Sequence, residues 1–278
     1  MRRDDPAWLA HERRGSGPPL VLIHGLGSHW QVWRPVLDEV ARHRDVIALD
    51  LPGFGASPHW PQPQRGGPAP GSVDHLADRV AAFLAGLGLD RPAVAGNSLG
   101  GGVALELGRR GLAGSVTAFS PVGFWEPAGR RWCQLVVGGA RAAGTAIGPA
   151  LPRLFATRAG RAALCGLFYG RPGRLTPAEC LASAEALGQA QGFAAARDAL
   201  ARWRLGGPGA RVRNTTPLTA LPVTIAWGTR DVVLPYRSQA RRARLLLPTA
   251  RHVTLPGCGH LPFSDDPATC AGLLTQRQ

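Results

Sequence analysis

Lysine is absent from this chain of 278 residues: all 32 basic side chains are arginine, set against 18 acidic ones. The resulting net charge of +14 would suit a nucleic-acid surface. The sequence lacks, however, both a basic stretch interleaved with aromatics and any zinc-finger spacing. With Ala, Gly and Pro abundant, the arginines read as a coding bias toward GC-rich codons, and no nucleic-acid partner is expected. A basic surface still draws anionic substrates or membranes by long-range attraction. The five cysteines, Cys133, Cys165, Cys180, Cys258 and Cys270, are odd in number and contain no C-x-x-C pair, so neither a disulfide framework nor a zinc site is suggested. No apolar run approaches the roughly 20 residues that cross a bilayer. No apolar h-region follows Met1-Arg2-Arg3-Asp4-Asp5. The expectation is a cytoplasmic, soluble protein without stable membrane insertion. Its length allows one α/β domain with an insertion, or two domains.

What the sequence does contain is sharpest at Gly96-Asn97-Ser98-Leu99-Gly100. Pro92 to Ala95 reads as a short buried strand, and Gly101 to Arg110 carries Val103, Leu105 and Leu107 at helical spacing. A G-x-S-x-G at such a junction makes a sharp turn that pushes the serine hydroxyl out at the strand tip. Glycines flank it because a Cβ there would clash with neighbouring backbone.

A serine hydroxyl becomes a useful nucleophile only when a base takes its proton and a third group orients that base. Downstream, the strand-like Val223 to Trp227 leads into Gly228-Thr229-Arg230-Asp231. Asp231 thus falls just past a strand end, where open α/β sheets display functional residues. The strand-like Arg251 to Leu255 leads into Pro256-Gly257-Cys258-Gly259-His260, which puts His260 in a Gly-rich loop. Upstream, Leu20 to Ile23 opens into His24-Gly25-Leu26-Gly27. That loop can aim the backbone N–H of Leu26 at the point served by the N–H of Leu99. Two such donors stabilise the oxyanion of a tetrahedral intermediate by about 3 kcal/mol each.

Taken together, His24-Gly25-Leu26-Gly27, the run Asp50 to Ser57, the turn at Ser98, Trp227 to Asp231 and Gly259-His260 resemble the α/β-hydrolase superfamily, serine-nucleophile branch, in order and spacing. The resemblance covers roughly residues 8 to 122 and 217 to 275. It implies a mostly parallel, doubly wound α/β sheet with an inserted helical cap. The pattern is similar to single-domain esterases, carbon–carbon bond hydrolases and cofactor-free perhydrolases. Dehalogenases and epoxide hydrolases carry an aspartate where this chain has Ser98. The expected activity is hydrolysis of a small-molecule ester or related carbonyl compound through an acyl-enzyme, with catalytic Ser98, Asp231 and His260. No cofactor or metal is expected. Acyl transfer, perhydrolysis or C–C cleavage on the same residues, and non-catalytic ligand binding, are the alternatives. Oligomeric state is left open.

Along the chain, strand and helix signals alternate as a parallel sheet requires. Strands are expected at Trp8 to Arg13, Leu20 to Ile23, Asp45 to Leu49 and Ser115 to Phe119, and helices at Trp30 to Ala41 and Val73 to Leu87, with an irregular loop from Trp60 to Ser72. The family usually begins with one further strand, for which the seven residues ahead of Trp8 leave little room. The core is expected over residues 1–122 and 217–278. Residues 123–216 read as a lid, with helical stretches at Trp132 to Ala143, Pro177 to Gly188 and Phe193 to Leu205 and no convincing strand. This segment holds thirteen arginines against Glu126, Glu179, Glu185 and Asp198.

Competing roles are assigned as follows. Glu126 is the rival to Asp231, because some family members take the acid from the strand after the serine turn. Asp265 and Asp266 are surface neighbours of His260, and Cys258 is read as packing. His24 is expected to brace the oxyanion loop and Asp50 to cap the turn at Pro52 to Gly55. His29, Trp30, Phe124 and Trp125 are expected to edge the substrate pocket, as are Trp33 and Trp132.

Overall fold

The computed structural model describes residues 2, 5–59, 67–200, 203, 205 and 216–276. Among them are seven strands: β1 His11–Arg14, β2 Pro19–Ile23, β3 Asp45–Leu49, β4 Ala93–Asn97, β5 Ser115–Phe119, β6 Val223–Gly228 and β7 Arg251–Leu255. They form one sheet in the order β1-β3-β2-β4-β5-β6-β7. β1 runs antiparallel to β3, and every other pairing is parallel. A strand buried on both faces sends alternate side chains to opposite layers. Val21, Ile23, Ile47 and Leu49 accordingly enter one core, and Leu20, Leu22, Val46 and Ala48 the other.

Helices cover both faces. α1 (Arg34–Ala41) packs on one side through Val36, Leu37 and Val40. α2 (Val73–Gly86) and α3 (Leu99–Arg109) pack on the other through residues such as Leu76, Phe83 and Val103. The Ser72 hydroxyl starts α2 by accepting the His75 N–H. Between β5 and β6 the described chain forms helices only: α4 (Pro127–Ala146), α5 (Leu151–Ala156), α6 (Arg158–Cys165), α7 (Pro177–Gln189), α8 (Phe193–Leu200) and α9 (Thr216–Thr219), with short 3-10 turns. α5 to α7 enclose their own small core around Leu151, Phe155, Cys165, Tyr169 and Cys180, while α4 sends Cys133 and Val137 into the α2–α3 core. α10 (Tyr236–Leu246) joins the α2–α3 side, and α11 (Pro267–Thr275) joins α1. No helix among the described residues is long and apolar enough to cross a membrane.

The expected elements are present, with four differences. The first strand starts at His11 rather than Trp8, because Leu9 and Ala10 turn inward and Ala10 donates its N–H to Ser57 Oγ. The helix expected from Trp30 splits into a 3-10 turn over Trp30–Trp33 and α1, with Pro35 in the first turn of α1. α5, α6, α9, α10 and α11 were not expected. The expected loop from Trp60 to Ser72 and the end of the helix toward Leu205 lie partly outside the described residues.

Candidate active site

Ser98 sits between β4 and α3 with φ 55° and ψ −114°, a region that costs a non-glycine residue about 1–3 kcal/mol. The turn is held by its neighbours. Ser98 N–H donates to Phe119 O at 3.0 Å, and Ser98 O accepts from Gly102 N and Val122 N at 3.1 and 3.0 Å. A Cβ on Gly96 would lie 2.1 Å from Gly100 O, and one on Gly100 would lie 2.2 Å from Ile23 O. Glycine at both positions is what lets strand, turn and helix close this tightly.

His260 and Asp231 come from the loops after β7 and β6. The Asp231 carboxylate is divided between two tasks. Oδ1 accepts the Leu234 N–H at 2.9 Å, and Oδ2 meets His260 Nδ1 at 2.9 Å. Both side chains are buried. A carboxylate can only accept, so the shared proton belongs to Nδ1, and in the neutral imidazole the lone pair is on Nε2. Ser98 and His260 line one cavity of about 80 Å³, together with Leu26, Asn97, Phe168 and Leu187. Among the described residues no hydrogen bond joins Ser98 Oγ to His260, as is common before a substrate tightens such a site.

The loop after β2 closes the other side of this cavity. His24 is fully buried; its Nδ1 donates to Gly25 O at 2.7 Å and its Nε2 accepts the Leu51 N–H at 2.9 Å. Burial pushes the His24 imidazole down to about 4, against the opposing pull of Asp50. Asp50 in turn accepts Trp30 N–H on Oδ1 at 2.7 Å and Ala56 N–H on Oδ2 at 2.9 Å. It thus ties the 53–57 turn to the loop beyond Gly27. Gly25 lies so close to the serine that a Cβ on it would be 3.2 Å from Ser98 Cβ. Leu26 lines the cavity, and Leu99 opens α3, where first-turn N–H groups have no intrahelical acceptor.

The other expected site residues are elsewhere. Glu126 is exposed and paired with Arg242 at 2.8 Å, while Asp231 holds the histidine. Phe124 and Trp125 are sealed in the core. Phe124 packs on Trp227, and the Trp125 indole donates to Trp203 O. Neither belongs to the described lining of the Ser98 cavity. An aromatic at a strand end can point down into the core as readily as up. His29 lines two outer recesses rather than the Ser98 cavity, and Trp30 stacks under Arg34. Cys258 is wholly buried, and its thiol is pushed up to about 11 chiefly by that burial, in keeping with packing.

Two contributors were missed in the sequence. Asp265, expected at the surface, is fully buried and accepts the N–H groups of Gly259 and Gly170 on Oδ2, both at 2.8 Å, and of Arg171 on Oδ1 at 2.7 Å. Asn97, beside the serine, donates from Nδ2 to His260 O at 3.0 Å. No local pattern marks either one, since their partners are 163 residues away for Asn97 and 95 for Asp265 with Gly170. Among the described residues no cluster of three or more His, Cys, Asp or Glu side chains is arranged to hold a metal ion.

Residues 20–273 match the alpha/beta hydrolase family. An uncharacterized protein of Mycobacterium tuberculosis (strain ATCC 25618 / H37Rv) is 32% identical over 274 residues, covering 91% of this chain and 73% of that one. The dihydrolipoyllysine-residue acetyltransferase component of an acetoin cleaving system in Pseudomonas putida is 30% identical over 249 residues, covering 88% of this chain and 59% of that protein. An alpha/beta hydrolase fold protein from Burkholderia ambifaria superposes with a TM-score of 0.69 at 25% identity, over 97% of this chain and 94% of its own.

Proposed function

Since the chain belongs to the alpha/beta hydrolase family, we propose that it hydrolyses a small-molecule ester through an acyl-enzyme on Ser98. The observation that carries this reading is the His260–Asp231 hydrogen bond at 2.9 Å, whose imidazole lines the same cavity as a serine held at φ 55°. His260 Nε2 takes the Ser98 proton as Oγ attacks the carbonyl carbon. The carbonyl oxygen gathers negative charge facing the N–H groups of Leu26 and Leu99. The C–O bond to the alcohol then breaks, and the alcohol leaves with the proton from His260. Water enters, gives a proton to His260 and attacks the acyl carbon. Ser98 departs as the hydroxyl when His260 returns the proton. Throughout, Asp231 keeps Nδ1 protonated and offsets the charge on the imidazolium. Residues 123–216 serve as the cap over this cavity, a role supported by Val137, Phe168, Tyr169, Ser183 and Leu187 in its wall.

The test is intact mass after fluorophosphonate treatment of wild type and Ser98→Ala, followed by a screen of short-chain esters. One adduct on wild type, none on the variant, and turnover that disappears with Ser98 are the expected results. A folded wild type that takes no adduct and turns over no ester overturns the proposal in favour of ligand binding without catalysis. A second reading, transfer of the acyl group to an acceptor other than water, is favoured by the acetyltransferase name of the Pseudomonas putida relative. Added thiols or alcohols that divert the acyl group to a new ester or thioester, rather than the free acid, would identify it.

A further inference from the structure

A second, larger cavity adjoins the Ser98 site and is walled by the helices between β5 and β6. It holds about 390 Å³ between α4, α5, α6 and α7, and its wall includes Ile147, Leu151, Phe155, Leu164, Cys165 and Leu187. It shares Phe168, Tyr169, Ser183 and Leu187 with the Ser98 cavity. One face of α4 runs from one space to the other. Val137 lines the Ser98 cavity, while Ala140, Gly144 and, at the end of the helix, Ile147, spaced at three to four residues, line the chamber.

Cys165 and Arg141 on the chamber wall are already engaged. The Cys165 thiol meets Cys180 Sγ at 3.2 Å. Arg141 donates to Ala190 O and Gly188 O, at 3.0 and 3.1 Å, and stacks on Phe193. A polar or charged guest would be desolvated there with little return. The Ser98 cavity also shares Ser28, Val32, Tyr169 and Ser183 with a recess of about 270 Å³ that carries His29, Arg34 and Glu179. The site therefore has a polar side and an apolar side. At about 80 Å³, the space beside Ser98 itself suits little more than the reacting carbonyl and its nearest atoms.

We infer that the chamber between α4 and α7 binds an uncharged hydrocarbon arm of the ester, while the polar remainder of the substrate lies in the recess near Arg34. The inference rests on the reaction proposed above and adds the class of substrate. Burial of a methylene is worth about 0.8 kcal/mol, so each one that enters the chamber raises kcat/KM about 4-fold. The increase stops when the chamber is full.

Two ester series tell which arm enters: p-nitrophenyl alkanoates from acetate to decanoate lengthen the acyl arm, and alkyl acetates from methyl to decyl lengthen the alcohol. A rise of about 4-fold per methylene over the first several members of one series is expected. Gly144→Leu is the matching variant. A Cβ at this helical position meets nothing within 4 Å, and leucine has the better helix propensity, so the fold is retained. It should lower the ratio of long-chain to acetate turnover, removing most of the gain for long chains. Flat profiles in both series, or long-chain rates untouched by Gly144→Leu, with acetate still hydrolysed, overturn the chamber assignment and leave the reaction standing. If no ester is turned over and Ser98 takes no fluorophosphonate, the reaction fails, and the chamber is then read by binding. A rise in Tm with 1-decanol in wild type but not in Gly144→Leu supports it, and no rise in wild type overturns it.

Discussion

Asp265 holds the residue next to His260: its Oδ2 accepts the backbone N–H of Gly259 at 2.8 Å from a fully buried position. The same oxygen accepts Gly170 N–H, and the other accepts Arg171 N–H. One carboxylate thereby fastens the histidine loop to the segment between α6 and α7. Asp265→Asn replaces one acceptor oxygen with a donor and leaves at least one buried N–H unmet. Stability should fall by about 2–3 kcal/mol, seen as a lower urea midpoint at unchanged m value. An unchanged midpoint would show that these N–H groups find other acceptors.

Asp231→Asn separates orientation from stability. An asparagine oxygen can keep the Leu234 N–H that Asp231 Oδ1 now accepts, so Tm should move little. Its amide nitrogen would then face His260 Nδ1, forcing the ring proton onto Nε2, where the serine proton is needed. On the proposed mechanism kcat should drop by about 10⁴-fold, as loss of the correct tautomer does elsewhere. A loss of less than tenfold would mean that Asp231 does not orient the base.

Acid should loosen the molecule in two stages. His24 is held neutral, near 4 against an ordinary 6.5, mainly by burial. Between those values the unfolded chain binds the extra proton, so stability is complete above about pH 6.5 and declines as pH falls toward 4, by about 3 kcal/mol in all. Burial raises the Glu106 carboxyl, but the hydrogen bonds and charges of Arg109 and Arg110 outweigh it and leave it below its ordinary 4.5. Its stabilisation is present above pH 4.5 and is lost below that. Urea midpoints at pH 7, 5.5 and 4.5 should fall in sequence, and His24→Asn should flatten the decline above pH 4.5. A constant midpoint across that range would contradict a neutral buried His24.

Two glycine-to-alanine changes should act in opposite directions. At Gly100 the new methyl would meet Ile23 O at 2.2 Å, whereas at Gly272, inside α11, it would meet nothing within 4 Å. Gly272→Ala should raise stability by about 1 kcal/mol through the unfolded chain. Gly100→Ala should cost about 3 kcal/mol or more, with loss of Ser98 labelling even where the chain still folds. Equal effects from the two would dismiss the steric account of the elbow.

The parts of the site legible in the sequence are those built from local backbone demands. Ser98 was marked by glycines that the strand–turn–helix geometry cannot replace, and Asp231 and His260 by their positions just beyond strand ends. Asp265 was not legible, because its value lies in N–H groups contributed from Gly170 and Arg171, which no spacing announces. The burial of Phe124 and Trp125 was not legible, because an aromatic at the rim of a sheet gives no sign of which way it turns. In the fold, the central strands stood out as continuous apolar runs, since both their faces are covered. α5 and α6 did not, being short and interrupted by Pro152, Gly160 and several arginines whose side chains suit many settings.

Among the described residues the sheet ends in two strands that each pair on only one side, β1 and β7. Open strand edges invite pairing with another chain, and charge on the edge discourages it. β1 reads His11-Glu12-Arg13-Arg14, with Arg13 paired to Asp45 and Arg14 to Glu12 and Asp38, and β7 begins with the exposed Arg251. A foreign strand would have to strip water from those guanidinium groups before gaining a single ladder bond. Arginine charge of this kind at a sheet border disfavours fibre-like association between copies.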